Sequence, residues 1–286
     1  MTLTLTAIAD TATAAPVALK LSSNRKVSPL VKRAKNRAEP VVQNAFGLPA
    51  GPETDQPLVG DGHGSCPDAT DACVDCYADA IPYPSMRQLL QHNFDALKSC
   101  HGIDEMVNLI SAMLKTFEAQ CEKHGTDKVF RNHWSGDFYD EDYAAAWIVV
   151  MRNNPQIQFW QYTRSFVTVP AAQLFAIADL PNCETFLSVD KHNAAAAATV
   201  LARYPTLHAA ALGVTFDDAS AVLRSARGPG ARAPKCPENS GKLPLVVTSD
   251  RRAELTEVGT RGVGACVACG LCVFGRRDVL FSVTGR

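Results

Sequence analysis

Three cysteines stand within eleven positions in "SCPDATDACVDCYADA" (65–80): Cys66, Cys73 and Cys76. A second set lies in the tail, where "GACVACGLCVFG" holds Cys266, Cys269 and Cys272, and a lone Cys236 precedes it in "APKCPENSGK". Such close CxxC spacing in a non-secreted chain points to metal rather than to disulfides. In the tail, C-x2-C-x2-C with Gly270 inside lets one short loop wrap a face of a 4Fe-4S cube. Ferredoxin-type runs are spaced this way and draw their last thiolate from a remote cysteine, so Cys236, followed by Pro237, is the natural fourth ligand. Structural zinc is the competing reading there, although zinc more often takes two separated CxxC pairs. Unligated thiols come third. The front set stops at three, and three thiolates on a 4Fe-4S cluster leave one iron open to bind a small molecule. His63 would close that position and turn a catalyst into an electron carrier or a structural staple, unless it is simply a solvated loop histidine.

The elements that must hold these cysteines follow from periodicity. Met86, Leu89, Leu90, Phe94 and Leu97 recur at helical spacing, as do Ile103, Met106, Val107, Ile110, Met113, Leu114, Phe117 and Cys121, with Gly125 as a stop. "KVFRNHW" (128–134), "QIQFWQYT" (156–163), "ETFLSVD" (184–190), "LHAAALGVTF" (207–216) and "LPLVVTSD" (243–250) read as strands. They alternate with helices at 140–154, 170–180 and 193–204. This is an α/β pattern of βαβ units with a largely parallel sheet. Between Asp217 and Lys235 the sequence reads as an exposed Arg/Gly/Pro-rich connector. Cys100, Cys121 and Cys183 read as small buried hydrophobes.

Chemistry in such folds gathers where strands end. The strand ends here are polar: His133 to Asp137; Tyr162, Thr163, Arg164 and Ser165; Ser188, Asp190, Lys191, His192 and Asn193; Thr248, Ser249 and Asp250. In "SGDF" (135–138), Gly136 lets backbone approach a ligand, and Asp137 either accepts from an ammonium or caps the helix beginning near Tyr139. His133 and His192 are either acid–base groups or satisfied polar groups. Trp134 and Trp160 read as pocket wall or core.

With 286 residues and a formal net charge of −1, the chain is long enough for one large domain or two smaller ones, and no global field points to nucleic acid. No apolar run reaches a membrane span. The first eighteen residues lack the basic n-region of a secretory signal, so the chain reads as soluble and intracellular. Residues 1–40 read as a flexible arm. Its basic stretch, Lys20 to Arg37, is either solvated or a dock for a phosphate, such as a nucleic-acid backbone, or for an acidic partner. Residues 41–235 read as a core carrying the front cysteines, and residues 236–286 as a cysteine-rich segment packed on it. Metal ligation, rather than an apolar core, is expected to fold residues 251–276.

"NAFGLPAG…SCPDATDACVDCYA", "FRNHWSGDFYDEDYAAAW", "FWQYTRS", "LSVD" and "CP…CVACGLC", in that order, resemble the phage "gene product eighty-eight" domain family from about Leu21 to Cys272. This implies a phage protein in the cytoplasm of an infected bacterium. The motif order is also similar to that of radical S-adenosylmethionine enzymes. That likeness implies a partial (β/α) barrel with the cysteine loop after the first strand, and a cofactor bound at the open iron, where the reduced cluster cleaves its sulfonium. Ser135, Gly136 and Asp137 would hold the cofactor's amino group, with Ser188 and Asp190 placed for ribose contacts. The tail cluster would be auxiliary, holding substrate or relaying electrons from a donor. Two features depart from that superfamily: the first cysteine gap is six residues rather than three, and Asp75 stands where an aromatic is usual, with Tyr77 after the third cysteine. The rival expectation is a non-catalytic iron–sulfur or zinc protein that binds a host or phage partner.

Overall fold

A computed structural model describes residues 17–27, 29–33, 37–51, 64–73, 76, 83–247 and 261–284. The elements in chain order are β1 (Pro29–Arg33), β2 (Arg37–Pro40), α1 (Pro84–Lys98), α2 (Ile103–His124), β3 (Val129–Arg131), α3 (Glu141–Asn153), β4 (Gln158–Thr163), α4 (Ala171–Ala178), β5 (Cys183–Val189), α5 (Ala194–Arg203), β6 (His208–Gly213), α6 (Phe216–Arg227), β7 (Val246–Val247), β8 (Arg261–Gly264), α7 (Ala265–Cys269) and β9 (Val279–Ser282). The fold is α/β. Five strands in the order β3-β4-β5-β6-β9 pair in parallel throughout and curl into a half-barrel.

Side chains alternate across each strand, so the sheet has two different faces. Phe130, Phe159, Leu187 and Ala209 point to the helical side and join a core built from Met106, Ile110, Phe117, Tyr143, Trp147 and Leu201. Trp160, Phe186, Ala210 and Val279 point to the other side and pack on Val273 and Cys272 of the tail. Burial on both faces is what a parallel sheet requires. The α2 stripe of Met106, Ile110, Met113, Leu114, Phe117 and Cys121 is buried at helical spacing, and Gly125 ends the helix in the left-handed region at φ 60°.

Several expectations change. Asp217 to Arg227 is not an exposed connector but the body of α6. Thr215 and Asp218 form a reciprocal capping box, and Ala219, Val222, Leu223 and Ala226 form the buried stripe. Small residues and flanking arginines hide this helix from a hydrophobicity reading. The strand expected at 243–250 is only β7, and it pairs antiparallel with β8 in a second sheet ordered β2-β1-β8-β7. Thr248, Ser249 and Asp250 lie outside the described residues, as do His63, Asp75 and Tyr77. The fifth parallel strand is β9, from the tail.

The basic stretch is not simply a solvated arm. Leu19, Leu21 and Val27 are buried, and β1 pairs with both β2 and β8. The Cys266 N–H donates to Lys26 O at 2.9 Å, and a Cβ on Gly264 would overlap the Lys26 carbonyl group. The tail also has an apolar contribution of its own, because Ala265, Val273, Val279 and Leu280 are buried.

Candidate functional site

Residues 44–48 form a short extended segment along the outer edge of β3, with Ala45 bridging Arg131 in parallel. Arg131 N donates to Asn44 O (3.0 Å), Phe46 N to Arg131 O (3.1 Å), and Leu48 N to Ser135 O (2.9 Å). The chain therefore reaches the carboxyl edge of the half-barrel and enters the front cysteine loop there. This is the rim on which parallel sheets build their sites.

The loop is stitched down on both flanks. The Cys66 N–H donates to Gly51 O at 2.8 Å. The Asp68 carboxylate accepts from Val167 N (2.8 Å), Thr168 N (2.9 Å) and the Thr168 hydroxyl (2.7 Å), all just past β4. The Thr70 hydroxyl donates to Asp190 Oδ2 at 2.7 Å, at the end of β5, and Arg164 pairs with the same carboxylate oxygen. A 3-10 turn at Asp71–Cys73 follows, and Cys76 N donates to Cys73 O at 3.0 Å.

"SGDF" meets this loop from β3. The Ser135 hydroxyl donates to Leu48 O at 2.8 Å, and Asp137 N donates to Ser65 Oγ at 3.3 Å. Gly136 sits at φ 74°, and a Cβ there would lie 2.6 Å from Leu48 Cβ and 2.8 Å from Leu48 O. Only glycine allows this crossing. Asp137 is 4% exposed. Its Oδ1 accepts from the Thr163 hydroxyl (2.6 Å) and Phe138 N (2.8 Å), and its Oδ2 from Arg164 N (2.6 Å). It does not cap α3; Asp140 does, accepting from Tyr143 N at 2.8 Å. Among the described residues no lysine or arginine side chain pairs with Asp137, and burial lifts its carboxyl to about 6. Burial also raises the Cys66 thiol, and the charges of Asp137, Cys76 and Cys73 raise it further. The three front cysteines and Asp137 thus share one neighbourhood.

The other rim residues are engaged within the protein. Ser188 shares the concave face with Ala210, its partner in register. Asp190 accepts at Oδ1 from His192 N (2.7 Å) and Asn193 N (3.3 Å). Burial pushes its carboxyl up, but the Thr70 hydroxyl, the Arg164 guanidinium and the His192 N–H together hold it below the usual range. His133 is sealed in the helical-side core, its Nε2 2.9 Å from the Tyr143 hydroxyl, and burial lowers it to about 3. His192 stands outside the loop, 4.0 Å from the exposed Asp71. Trp160 is core, and Trp134 is tied through its indole N–H to Ser22 Oγ at 2.6 Å. Cys121 and Cys183 are buried as expected, whereas Cys100 is partly exposed.

The tail cysteines gather on the concave face. Burial is the main cause that raises the Cys272 thiol; the neighbouring Tyr162 hydroxyl opposes the shift, while Cys266, Cys236 and Cys269 add to it. Cys266 is pushed up to about 12 by burial, against the charges of Arg131 and Lys26. Cys236 comes into this group because its N–H pairs with Leu280 O at 2.9 Å, along the edge of β9. Among the described residues no three Cys, His, Asp or Glu side chains are arranged to hold a metal ion as they stand. In both places the thiols share surroundings rather than a closed ligand sphere. The donor set nevertheless fits a thiolate-loving centre: it is all-sulfur and half-buried, with only Cys272 fully buried, and Lys26 and Glu238 lie beside it in the tail. Loading it must displace the thiol protons.

Arg164 and Thr163 stand out in the sequence as a polar strand end, and Ser65, Asp68, Thr70 and Arg131 lie inside the quoted family stretches without any chemistry that singles them out. Their roles are to fix the loop or to line the concave face, and no spacing rule marks either role. Among the described residues no helix is long and apolar enough to cross a membrane.

No solved structure matches the chain. The chain is 34% identical over 272 residues to the Gene 88 protein of Mycobacterium phage L5, covering 94% of this chain and 99% of that protein. It is 32% identical to the Gene 88 protein of Mycobacterium phage D29, with the same coverage. The family model described as gene product 88 matches residues 18–275. This chain belongs to the gene product 88 family.

Proposed function

We propose that this protein is an iron–sulfur enzyme of radical S-adenosylmethionine type, with Cys66, Cys73 and Cys76 holding a 4Fe-4S cluster whose open iron takes the cofactor. The observation that carries this reading is the buried, cation-free Asp137 facing the three-cysteine loop at the carboxyl rim of a parallel half-barrel. A carboxylate kept out of water without a cationic partner is costly, and a ligand ammonium would relieve that cost through a charge-assisted hydrogen bond. When bound, the cluster supplies one electron to cleave a sulfonium. The chain's own residues hold and shield. Gly136 and Ser135 present backbone, Ser188 on the concave face would contact a ribose, and Asp190 with Arg164 and Thr70 holds the loop against the rim. Cys236, Cys266, Cys269 and Cys272 would carry an auxiliary cluster, with zinc as the alternative occupant. The test is spectroscopic: in anaerobically reconstituted, reduced protein, S-adenosylmethionine should shift the electron paramagnetic resonance signal of the front cluster. An unshifted signal overturns the enzyme reading.

A second reading rests on one observation. Both oxygens of Asp137 already accept from protein donors, and those of Asp190 do as well. In a non-catalytic iron–sulfur or zinc protein, these contacts would be purely structural, and the molecule would act by binding a partner. A front cluster fully ligated by protein groups favours this alternative.

A further inference from the structure

We propose that the outer surface of the tail loop, Phe274 with Arg276 and Arg277, is the docking site for a small acidic one-electron carrier protein. The choice of an electron carrier rests on the iron–sulfur reading of the tail given above. The surface itself rests on packing. After Cys272 the chain folds back on its own cysteine run: Phe274 N donates to Gly270 O (3.3 Å), Gly275 N to Cys272 O (3.3 Å) and Arg276 N to Leu271 O (3.0 Å). This return brings two side chains over Gly270, where a Cβ would lie 3.0 Å from Phe274 Cδ2 and 3.5 Å from Arg276 Nη2. Gly270 directly follows Cys269, which is partly exposed, whereas Cys272 is buried. An aromatic ring and a guanidinium thus stand beside a thiol that reaches the surface.

Phe274 is 49% exposed, and Arg276 and Arg277 are exposed as well. Among the described residues neither arginine makes an ion pair. The nearby carboxylates leave them uncompensated: Asp278 pairs with Arg227 at 2.9 Å, and Glu184 lies against Gly275. An exposed aromatic rimmed by arginines has the composition of a protein interface, where these residue types carry most of the binding energy. Two cations are few for a nucleic-acid backbone, whose binders commonly make about six to ten phosphate contacts. So small a patch suits an electron-transfer encounter, which buries less than about 1,200 Å². The positive rim steers an acidic partner and sets it against the cysteine run. On contact the carrier is oxidised by one electron and the tail cluster reduced by one, with no bond made or broken.

The experiment follows reduction of the anaerobically reconstituted protein by flavodoxin hydroquinone, an acidic one-electron carrier. Freeze-quench electron paramagnetic resonance reads the tail cluster as the signal that S-adenosylmethionine leaves unshifted. Dithionite, which needs no docking, is the control reductant. With flavodoxin the parent's rate should fall steeply as salt is added. Arg276→Glu combined with Arg277→Glu should lower the low-salt rate at least about tenfold and abolish the salt dependence. Arg277→Gln alone, which leaves the contact over Gly270 untouched, should lower it about threefold, and Arg276→Lys with Arg277→Lys should keep most of it. Phe274→Ala should weaken the encounter about tenfold while the salt dependence stays. Every variant should bind the parent's iron and react with dithionite at the parent's rate. Flavodoxin rates equal to the parent's in the Arg277→Gln and charge-reversed proteins overturn the proposal and leave the iron–sulfur reading standing. So does a patch that takes up a single-stranded oligonucleotide or a second copy of this chain in place of flavodoxin. A tail that takes up zinc and no iron overturns both.

Discussion

Replacing Gly136 by alanine tests how tightly the front loop is held against β3. Two costs combine at this position. At φ 74° an alanine occupies the left-handed region, and its Cβ would press on the Leu48 side chain and carbonyl and on Ser65 Oγ. Gly125, at φ 60°, has the same backbone demand but nothing within 4 Å of the would-be Cβ. Gly125→Ala therefore reads the backbone cost alone, about 1–2 kcal/mol. Gly136→Ala adds an overpacking cost of about 1–3 kcal/mol, because its neighbours are backbone and a core leucine rather than a flexible tip. The pair should differ by that second amount in urea unfolding, with midpoints shifted and slopes unchanged. Iron bound at the front site should fall in Gly136→Ala and not in Gly125→Ala, since the displaced Ser65 directly precedes Cys66. Equal destabilisation in the two variants would refute the close crossing of loop and strand.

Asp137→Asn should leave stability near the parent's at neutral pH. The relief of a buried charge offsets the about 1–3 kcal/mol lost where an amide N–H faces the Arg164 N–H. Affinity for S-adenosylmethionine in equilibrium dialysis should nevertheless fall at least tenfold, and unchanged affinity would make Asp137 structural only. His133 gives a pH effect of definite sign: its folded pKa lies near 3 against 6.5, so the stability tied to the neutral ring is full above 6.5 and drains as pH falls toward 3. From pH 7 to pH 5 the loss is about 2 kcal/mol, working against the opposite trend of Asp137, and His133→Asn should remove it from the urea midpoints relative to the parent. Cys269→Ser should expose the segment before β9 to protease while α2 to α6 survive, and unchanged proteolysis would show that apolar packing of Val273 and Ala265 suffices.

The sequence made much of the parallel half-barrel legible because β4, β5 and α2 carry clean periodic patterns. The front cysteines and "SGDF" were legible for a different reason: their residue types are rare and closely spaced. What escaped has physical causes. In α6 the apolar stripe is two alanines, a valine and a leucine between arginines, too weak to stand out. The segment 44–48 makes only two isolated bridges, both at Ala45, and its Gly47 breaks any strand pattern. The pairing of β1 with β8 joins residues more than two hundred positions apart, where local patterns carry no information. Leu19 and Leu21 are buried in the helical-side core, where Ser22 bridges Ala45 and Lys20 is tied to Asn93, so the stretch reads as solvated when taken alone. The stitching by Asp68, Thr70 and Arg164 depends on where three loops end in space, and only the folded chain shows it.

The most direct measurement is the release of 5′-deoxyadenosine from S-adenosylmethionine by the anaerobically reconstituted, dithionite-reduced protein, alongside a variant in which Cys66, Cys73 and Cys76 are alanine. The proposed chemistry requires 5′-deoxyadenosine and methionine in equal amounts from the parent, and neither from the variant. A parent that carries its full complement of iron and sulfide yet releases no 5′-deoxyadenosine would contradict it.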